Sequence, residues 1–309
     1  LPEEWSGLLN NEQKEAIENI NGPLLIIAGA GSGKTRVLTY RYAHLIKTYG
    51  INFENVLAIT FTNKAANEMK DRISDLLNLE LSPKWISTFH SLCVKMLRIH
   101  GHLIGFNNNF TIYDQSDSTK LVRNCMRDSD IDTKQYSPKR IQAHISSLKN
   151  QRILPGEAVE FAQSFFDVKV AEIYSSYQKK LMLANSMDFD DLLIKAVELL
   201  ETSDKSLNYW SSKFQYIMID EYQDTNMVQY RLVELLASKH KNICVVGDSD
   251  QSIYAFRGAD IRNIEEFESD FKNAKVISLE KNYRSSQKIL DIANAVISNN
   301  PRKKDKKLW

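Results

Sequence analysis

The chain has 309 residues, and its 40 lysines and arginines nearly balance its 39 aspartates and glutamates, giving a formal net charge of +1. Hydrophobic residues make up 43% and charged residues 26%, which is typical of a globular protein of about two domains and excludes a largely disordered chain. No apolar run approaches the roughly 18–20 residues that span a bilayer, and the three cysteines are far apart, so we expect a cytoplasmic protein without a membrane partner.

Five short aliphatic runs predict buried strands, at Leu24–Ala28, Val56–Thr60, 216–220, Ile243–Gly247 and 276–279. Helical patterns follow several of them, for example at 34–47 and 225–238. Strands that are apolar throughout and alternate with helices indicate an α/β fold with a parallel sheet covered on both faces. Residues 114–200 show helical periodicity and no convincing strand, which predicts a mostly helical domain inserted into the α/β domain.

The first predicted strand runs into a glycine-rich segment that ends in Gly33-Lys34-Thr35 and precedes a predicted helix. The backbone N–H groups of such a loop can surround phosphate oxygens, and the helix N-terminus adds positive potential. Lys34 would reach the β- and γ-phosphates, and the Thr35 hydroxyl would ligate Mg²⁺. Ala28 stands where the common pattern has glycine, and the alternative is an ordinary glycine-rich turn. The predicted phosphate-binding residues are Gly29, Gly31, Ser32, Gly33, Lys34 and Thr35.

The predicted strand at 216–220 delivers two adjacent acids, Asp220 and Glu221, at its carboxyl end. Open α/β sheets bind ligands at that end of their strands. Asp220 would hold Mg²⁺, directly or through water, and Glu221 would polarise the attacking water. The alternative is an acidic strand-to-turn cap.

Six longer strings select a family: AITFTNKAANEMKDR (58–72), WISTFHS (85–91), DFDDLL (188–193), DEYQDTN (220–226), VGDSDQSIYAFRGAD (246–260) and LEKNYRS (279–285). Their order and content resemble the signatures of the UvrD/Rep/PcrA family of superfamily 1 DNA helicases, and the resemblance is strongest to its PcrA branch. It covers nearly the whole chain and implies a P-loop RecA-like fold, use of ATP and Mg²⁺, and single-stranded DNA and single-strand/duplex junctions as partners.

The resemblance implies further nucleotide contacts. Gln13 is similar to an adenine-reading glutamine, and Arg36 is expected to help hold the nucleotide. Gln251 resembles a sensor that couples the γ-phosphate to the DNA-binding segment, while Tyr283 and Arg284 resemble an adenine-stacking tyrosine and a γ-phosphate arginine. Without the resemblance, Gln13 would be interpreted as a surface glutamine, Tyr283 as a core tyrosine and Arg284 as a solvated arginine. The resemblance implies catalytic roles for Lys34, Glu221, Gln251 and Arg284.

The resemblance also implies a single-stranded DNA track, whose residues are Phe61, Asn63, Thr88, His90, Tyr254, Phe256 and Arg257. Aromatic faces stack on any base, and polar or cationic groups hold the backbone without reading sequence. Phe256 stands where tryptophan is common in the family, so stacking there would use a smaller face. Phe61 and Phe256 could instead be core aromatics. A track of this kind reconciles DNA binding with a net charge of only +1.

The predicted organisation is a first part of a RecA-like domain at 1–113, an inserted helical domain at 114–200, the second part at 201–284, and the start of a second RecA-like domain at 285–309. The implied function is an ATP-dependent 3′-to-5′ single-stranded DNA translocase and helicase of repair or replication. We expect the 309-residue piece to bind ATP weakly, hydrolyse it slowly and not unwind DNA. The alternative is a short ATP- and DNA-binding module without motor activity.

Two features of the inserted region carry no assigned chemistry. Lys139, Arg140, Lys149 and Arg152 could form either a solvated face or a duplex contact, and the solvated face is the favoured interpretation. The three acids of the string 188–193 are interpreted as structural.

Overall fold

The computed structural model describes residues 1–79, 83–255, 258–299 and 308–309. The α-helices in these ranges are α1 (Glu3–Ser6), α2 (Asn11–Glu18), α3 (Lys34–Tyr49), α4 (Asn63–Leu77), α5 (Phe89–His100), α6 (Gln115–Asp128), α7 (Pro138–Asn150), α8 (Phe165–Leu183), α9 (Phe189–Thr202), α10 (Asp204–Lys213), α11 (Met227–Ala237), α12 (Arg262–Glu265), α13 (Phe267–Asp270) and α14 (Gln287–Ile297). The strands are β1 (Leu24–Ala28), β2 (Val56–Thr60), β3 (Ile86–Thr88), β4 (Thr111–Tyr113), β5 (Ser186–Asp188), β6 (Tyr216–Ile219), β7 (Ile243–Gly247) and β8 (Lys275–Leu279). Over the described residues, no helix combines the length and apolar character that a membrane span requires.

The chain forms two compact units. The first comprises Leu1–Phe89, Asn208–Thr225 and Leu236–Trp309, and the second comprises His90–Leu207 and Asn226–Leu235.

The first unit is built on a six-stranded sheet with the order β3-β2-β6-β7-β1-β8, in which every neighbouring pair is parallel. All residues of β1, β2, β6 and β7 are buried, which explains why these strands are aliphatic throughout rather than alternating. Helices α2, α3 and α4 contribute Ile17, Val37 and Met69 to a core that also contains strand residues. This arrangement confirms the predicted α/β, P-loop RecA-like fold.

A buried arginine joins two helices of this unit. Arg41 of α3 is 2% exposed, and its guanidinium donates to the carbonyl oxygens of Ala16 at 2.7 Å and Ile20 at 3.3 Å. Ala16 lies in the last turn of α2, where helix carbonyls lack intrahelical partners and the dipole favours a cation, and Ile20 lies just beyond the end of this helix. Arg41 therefore fixes α2 against α3.

We expect Arg41→Met to lower the free energy of unfolding by about 1–3 kcal/mol, because it leaves buried carbonyls at the end of α2 without their charged donor. Urea denaturation of the 309-residue chain measures the change. Lys47→Met is the control, since the Lys47–Glu4 ion pair has half-exposed side chains and should contribute under about 1 kcal/mol. Equal effects of the two substitutions would contradict this role of Arg41.

The second unit is mostly helical, and its core contains side chains of α6, α7 and α8, among them Val122, Ile145 and Tyr174. It also contains a two-stranded parallel sheet in which Thr111 of β4 pairs with Ser186 of β5. The expectation that 114–200 lacks a strand was therefore wrong, since β5 lies within it. A three-residue strand is too short to show periodicity, and its partner is distant in the sequence.

The second unit contains a buried charged cluster, which we call the Lys149 cluster and define as Lys149, Asp188, Asp191 and Tyr177. Lys149 Nζ lies 2.7 Å from Asp188 Oδ2 and 2.8 Å from Asp191 Oδ1, and the Tyr177 hydroxyl donates to Asp188 at 2.8 Å. Burial raises the pKa of Asp191 to about 6. Burial alone would also raise the pKa of Asp188, but Lys149 holds it below its usual value.

The cluster corrects the solvated-face interpretation of the basic residues in the insert. Lys149 is 1% exposed, and Arg152 pairs with Glu201 at 2.9 Å. Lys149 is therefore neither on a solvated face nor available to a duplex. Lys139 and Arg140 are exposed. Asp188 and Asp191 of the string 188–193 serve to neutralise Lys149.

Candidate functional site

The segments that the sequence singles out in the first unit follow the carboxyl ends of strands in one parallel sheet, which places them along one edge. The predicted phosphate-binding segment 29–35, which we call the phosphate loop, follows β1. Phe61 follows β2, and Thr88 ends β3. Asp220 follows β6, and Asp248 follows β7. This is the edge at which open α/β sheets bind ligands.

The phosphate loop has the backbone that its glycines permit. Gly31 and Gly33 adopt left-handed conformations with φ of 69° and 92°, and α3 begins directly afterwards at Lys34. A Cβ at Gly33 would lie 2.9 Å from Gln13 Nε2, so a side chain there would be both strained and obstructed. The Ser32 hydroxyl closes the loop by donating to the Gly29 carbonyl oxygen at 2.8 Å.

Three of the four predicted catalytic side chains converge. Lys34 Nζ lies 2.8 Å from Glu221 Oε2 and donates to Gln251 Oε1 at 3.4 Å. Glu221 has a left-handed backbone with φ of 50°, which is strained for a residue other than glycine. The fourth residue, Arg284, has its Cβ 2.8 Å from the place where a Cβ on Gly31 would lie, so it adjoins the phosphate loop.

The two predicted Mg²⁺ ligands are near each other, since the Thr35 side chain acts to lower the pKa of the Asp220 carboxyl group. Burial, together with the neighbouring charge of Glu221, raises the pKa of Asp220 to about 6. A divalent cation here would offset both effects. Hydroxyl and carboxylate oxygens are ligands that Mg²⁺ prefers, and it commonly takes the rest from phosphates and water. The residues present therefore fit Mg²⁺.

Gln13 and Tyr283 lie around the same loop. Gln13 Nε2 donates to the Ser32 carbonyl oxygen at 3.0 Å. Gln13 also forms a capping box with Asn10, and the Asn10 amide donates to the Tyr283 hydroxyl at 3.1 Å. Tyr283 is 55% exposed, which rules out the core-tyrosine interpretation. Arg36 lies over the ring of Tyr40, with its guanidinium carbon 5.6 Å from the ring centroid.

Asn282 is a site residue that the sequence analysis missed. Its amide donates to the Ala30 carbonyl oxygen, and its Oδ1 accepts the backbone N–H of Arg284 and of Ser285, both at 2.7 Å. It therefore joins the segment that carries Tyr283 and Arg284 to the phosphate loop. The signal was its place directly before Tyr283 and Arg284 in the string Asn-Tyr-Arg-Ser.

Phe61 and Tyr254, two residues of the predicted DNA track, stack on each other. Their ring centroids are 5.2 Å apart and their planes differ by 26°. Both rings are half-buried. Asn63 is exposed at the start of α4, and Thr88 is buried with 9% exposure. Phe256 and Arg257 lie outside the described residues.

His90 belongs to the second unit, where it contacts Phe189, an aromatic residue that the sequence analysis did not single out. Its ring makes an edge-on contact with Phe189 at a centroid distance of 5.9 Å, and Phe189 is 52% exposed. Burial lowers the pKa of His90, which favours its neutral form. The signal for Phe189 was an aromatic residue among the three acids of the string 188–193.

Comparison with known proteins agrees with this arrangement. The family described as UvrD/REP helicase N-terminal domain matches residues 9–272. The chain is similar to the ATP-dependent DNA helicase PcrA of Staphylococcus aureus (strain Mu50 / ATCC 700699), with 50% identity over 301 residues, which is 97% of this chain and 41% of the relative. The same identity and coverage hold for the ATP-dependent DNA helicase PcrA of Staphylococcus epidermidis (strain ATCC 12228 / FDA PCI 1200). The chain thus spans about two fifths of the length of these relatives.

Proposed function

Because the chain belongs to the UvrD/REP helicase family, we propose that it is the N-terminal motor portion of an ATP-dependent DNA helicase that moves 3′ to 5′ along single-stranded DNA. The observation that carries this proposal is the convergence of Lys34, Glu221 and Gln251 beside the phosphate loop. We also propose a cytoplasmic location and the domain limits 1–113, 114–200, 201–284 and 285–309. Residues 285–309 would begin a second RecA-like domain.

In this proposal the phosphate loop binds the triphosphate, and Lys34 exchanges its contact with Glu221 for the β- and γ-phosphates. Glu221 then accepts a proton from the attacking water, while Gln251 and Arg284 contact the γ-phosphate. Bound Mg²⁺ would be held by Thr35 and Asp220 and would neutralise charge on the transferring phosphoryl group. Gln13 and Tyr283 would hold the adenine from two sides, with Arg36 steadying the nucleotide.

DNA would lie along the aromatic pair Phe61–Tyr254, with Asn63, Thr88, His90, Phe256 and Arg257 completing the track. Stacking is tolerant of sequence, as a translocating motor requires. Phe189, exposed beside His90, is an additional candidate contact.

The test uses the protein encoded by the whole reading frame. We expect single-stranded DNA to stimulate its ATPase, and duplexes with a 3′ single-stranded tail to be unwound in preference to those with a 5′ tail. Preference for the 5′ tail would refute the direction, and ATP hydrolysis that ignores DNA would refute the motor.

The second candidate is a short ATP- and DNA-binding module without motor activity. The 309-residue chain alone should bind ATP weakly, hydrolyse it slowly and fail to unwind DNA, because an arginine supplied by a further domain is worth about 10³- to 10⁵-fold in related phosphoryl transfers. A reading frame that stops after Trp309 would favour the module.

We expect Tyr254→Ala to weaken single-stranded DNA binding by about 5- to 150-fold, which corresponds to the roughly 1–3 kcal/mol of one stacked base. Fluorescence anisotropy with a labelled oligonucleotide measures the change. Tyr49→Ala is the control, since Tyr49 is a half-exposed tyrosine at the end of α3. An unchanged affinity for the Tyr254 variant would remove this residue from the track.

A further inference from the structure

Gln223 is a buried glutamine with no role in the mechanism described above. It lies in the short turn Tyr222–Asp224 that follows the two acids, and it is 1% exposed. Its Nε2 donates to Glu221 Oε2 at 2.9 Å and to Asp224 Oδ2 at 3.3 Å. Its Oε1 accepts the backbone N–H of Asp248 at 3.0 Å. One side-chain amide thus joins the end of β6 to the end of β7.

Gly247 allows this close approach. A Cβ at Gly247 would lie 2.8 Å from Gln223 Oε1 and 3.3 Å from the Gln223 backbone nitrogen. The Gln223 amide therefore packs directly against the backbone at Gly247, with Ile264 Cδ1 2.6 Å from the same Cβ position, so a displacement of the chain at Gly247 and Asp248 acts directly on this amide.

The amide completes a closed ring of hydrogen bonds around the nucleotide site. Glu221 bonds to Gln223, and Gln223 bonds to Asp248. Asp248 accepts from the Gln251 amide, and Gln251 and Glu221 both accept from Lys34. Three residues beyond Gln251, Tyr254 stacks on Phe61. The ring therefore connects the proposed general base with the segment that leads to the proposed DNA contact.

We propose that Gln223 is a positioning residue that makes the Glu221 carboxylate respond to single-stranded DNA at Tyr254. This inference rests on the proposed function. DNA that moves the segment 248–254 shifts the Asp248 N–H, the Gln223 amide follows it, and the Glu221 carboxylate is drawn into or out of line with the attacking water. Glutamine suits this task because one planar amide is both the donor to a carboxylate and the acceptor from a backbone N–H.

Two substitutions distinguish the donor function of the Gln223 amide, towards Glu221, from its acceptor function, towards the Asp248 N–H. Gln223→Met keeps the length of the side chain and removes its hydrogen bonds to Glu221, Asp224 and the Asp248 N–H. Gln223→Glu keeps an acceptor for the Asp248 N–H but places a second carboxylate against Glu221. We expect both to lower the DNA-stimulated kcat of the full-length protein by about 10²-fold, the scale of a 1 Å misplacement, while the KM for ATP stays within about threefold.

The decisive readout is the ratio of kcat with and without single-stranded DNA. We expect this ratio to fall towards one in both variants, because the unstimulated rate loses less than the stimulated rate. Gln229→Met is the matched control, since Gln229 is also buried and its Oε1 accepts the Asn226 N–H at 3.1 Å, in the second unit. The control should retain the wild-type ratio.

Failure of this inference and failure of the proposed function give different results. A wild-type protein without DNA stimulation would refute the proposed function. A stimulated wild type with an unchanged ratio in the glutamate variant, even if both rates fall equally, would refute only the role of Gln223. The glutamate variant keeps the test valid if the methionine variant does not fold.

Discussion

Replacing Glu221 by glutamine is expected to lower ATP turnover by the full-length protein by about 10²- to 10⁴-fold, the usual contribution of a general base. A neutral amide keeps the size of the side chain but does not accept a proton from water. ATP binding should persist or tighten, because Lys34 is no longer paired with a carboxylate 2.8 Å away. The substitution therefore separates binding from hydrolysis.

Binding is measured with a fluorescent ATP analogue, and hydrolysis by single-turnover quench flow with saturating single-stranded DNA. Glu234→Gln is the control, since Glu234 pairs with Arg231 in the second unit and should leave turnover unchanged. Normal turnover in the Glu221 variant would remove this residue from the role of base. Loss of both binding and turnover would point to a structural role instead.

Replacing Lys149 by methionine is expected to lower the free energy of unfolding of the second unit by about 3–5 kcal/mol, because it leaves the buried carboxylates of Asp188 and Asp191 without their cation. Chemical denaturation, followed by a probe within this unit, measures the effect. Lys169→Met is the control, since the Lys169–Glu172 pair is partly exposed and should contribute under about 1 kcal/mol.

The same variant has a characteristic pH dependence. Without Lys149, the main offset to the burial of Asp188 and Asp191 is lost. The pKa of Asp191 in the folded state then rises further above the unfolded value of about 3.9, and the pKa of Asp188 rises from below that value. The folded variant then binds protons more tightly than the unfolded chain does. Its free energy of unfolding therefore increases as the pH falls from the raised folded-state pKa values towards the unfolded value of about 3.9. The difference from the wild type should therefore be smaller at pH 5 than at pH 8. A constant difference would contradict the carboxylate explanation.

The sequence was sufficient to predict the longer strands and insufficient to predict the three-residue strands. The predicted strands at Leu24–Ala28, Val56–Thr60 and Ile243–Gly247 match the observed limits, because strands buried on both faces are aliphatic at every position. The three-residue strands β3, β4 and β5 were missed, because three residues show no period and their pairing depends on distant partners.

In the site, the glycines, the charged residues and two of the amides, Gln13 and Gln251, were predicted from the sequence, whereas two other connecting amides were not. Lys34 and Glu221 could be named from their motifs. Gln223 and Asn282 lay inside the same strings, but their roles depend on contacts with Asp248 and Ala30, which sequence spacing does not reveal. Arg41 was missed for a related reason, since an arginine in a helix is usually solvated and its burial follows from the end of α2.

The strand order also has a consequence for synthesis on the ribosome. β1 pairs only with β7 and β8 in the described sheet. These two strands lie more than 200 residues later in the chain, at Ile243–Gly247 and Lys275–Leu279, so they are synthesised long after β1. At about 5–20 residues per second, the apolar strand before the phosphate loop would wait roughly 10–40 s with both edges unpaired. Such an edge is an aggregation hazard. The nascent chain should therefore need a chaperone over this interval, and ribosome-bound chains ending before residue 243 should be more sensitive to protease near Leu24 than chains extended beyond residue 279.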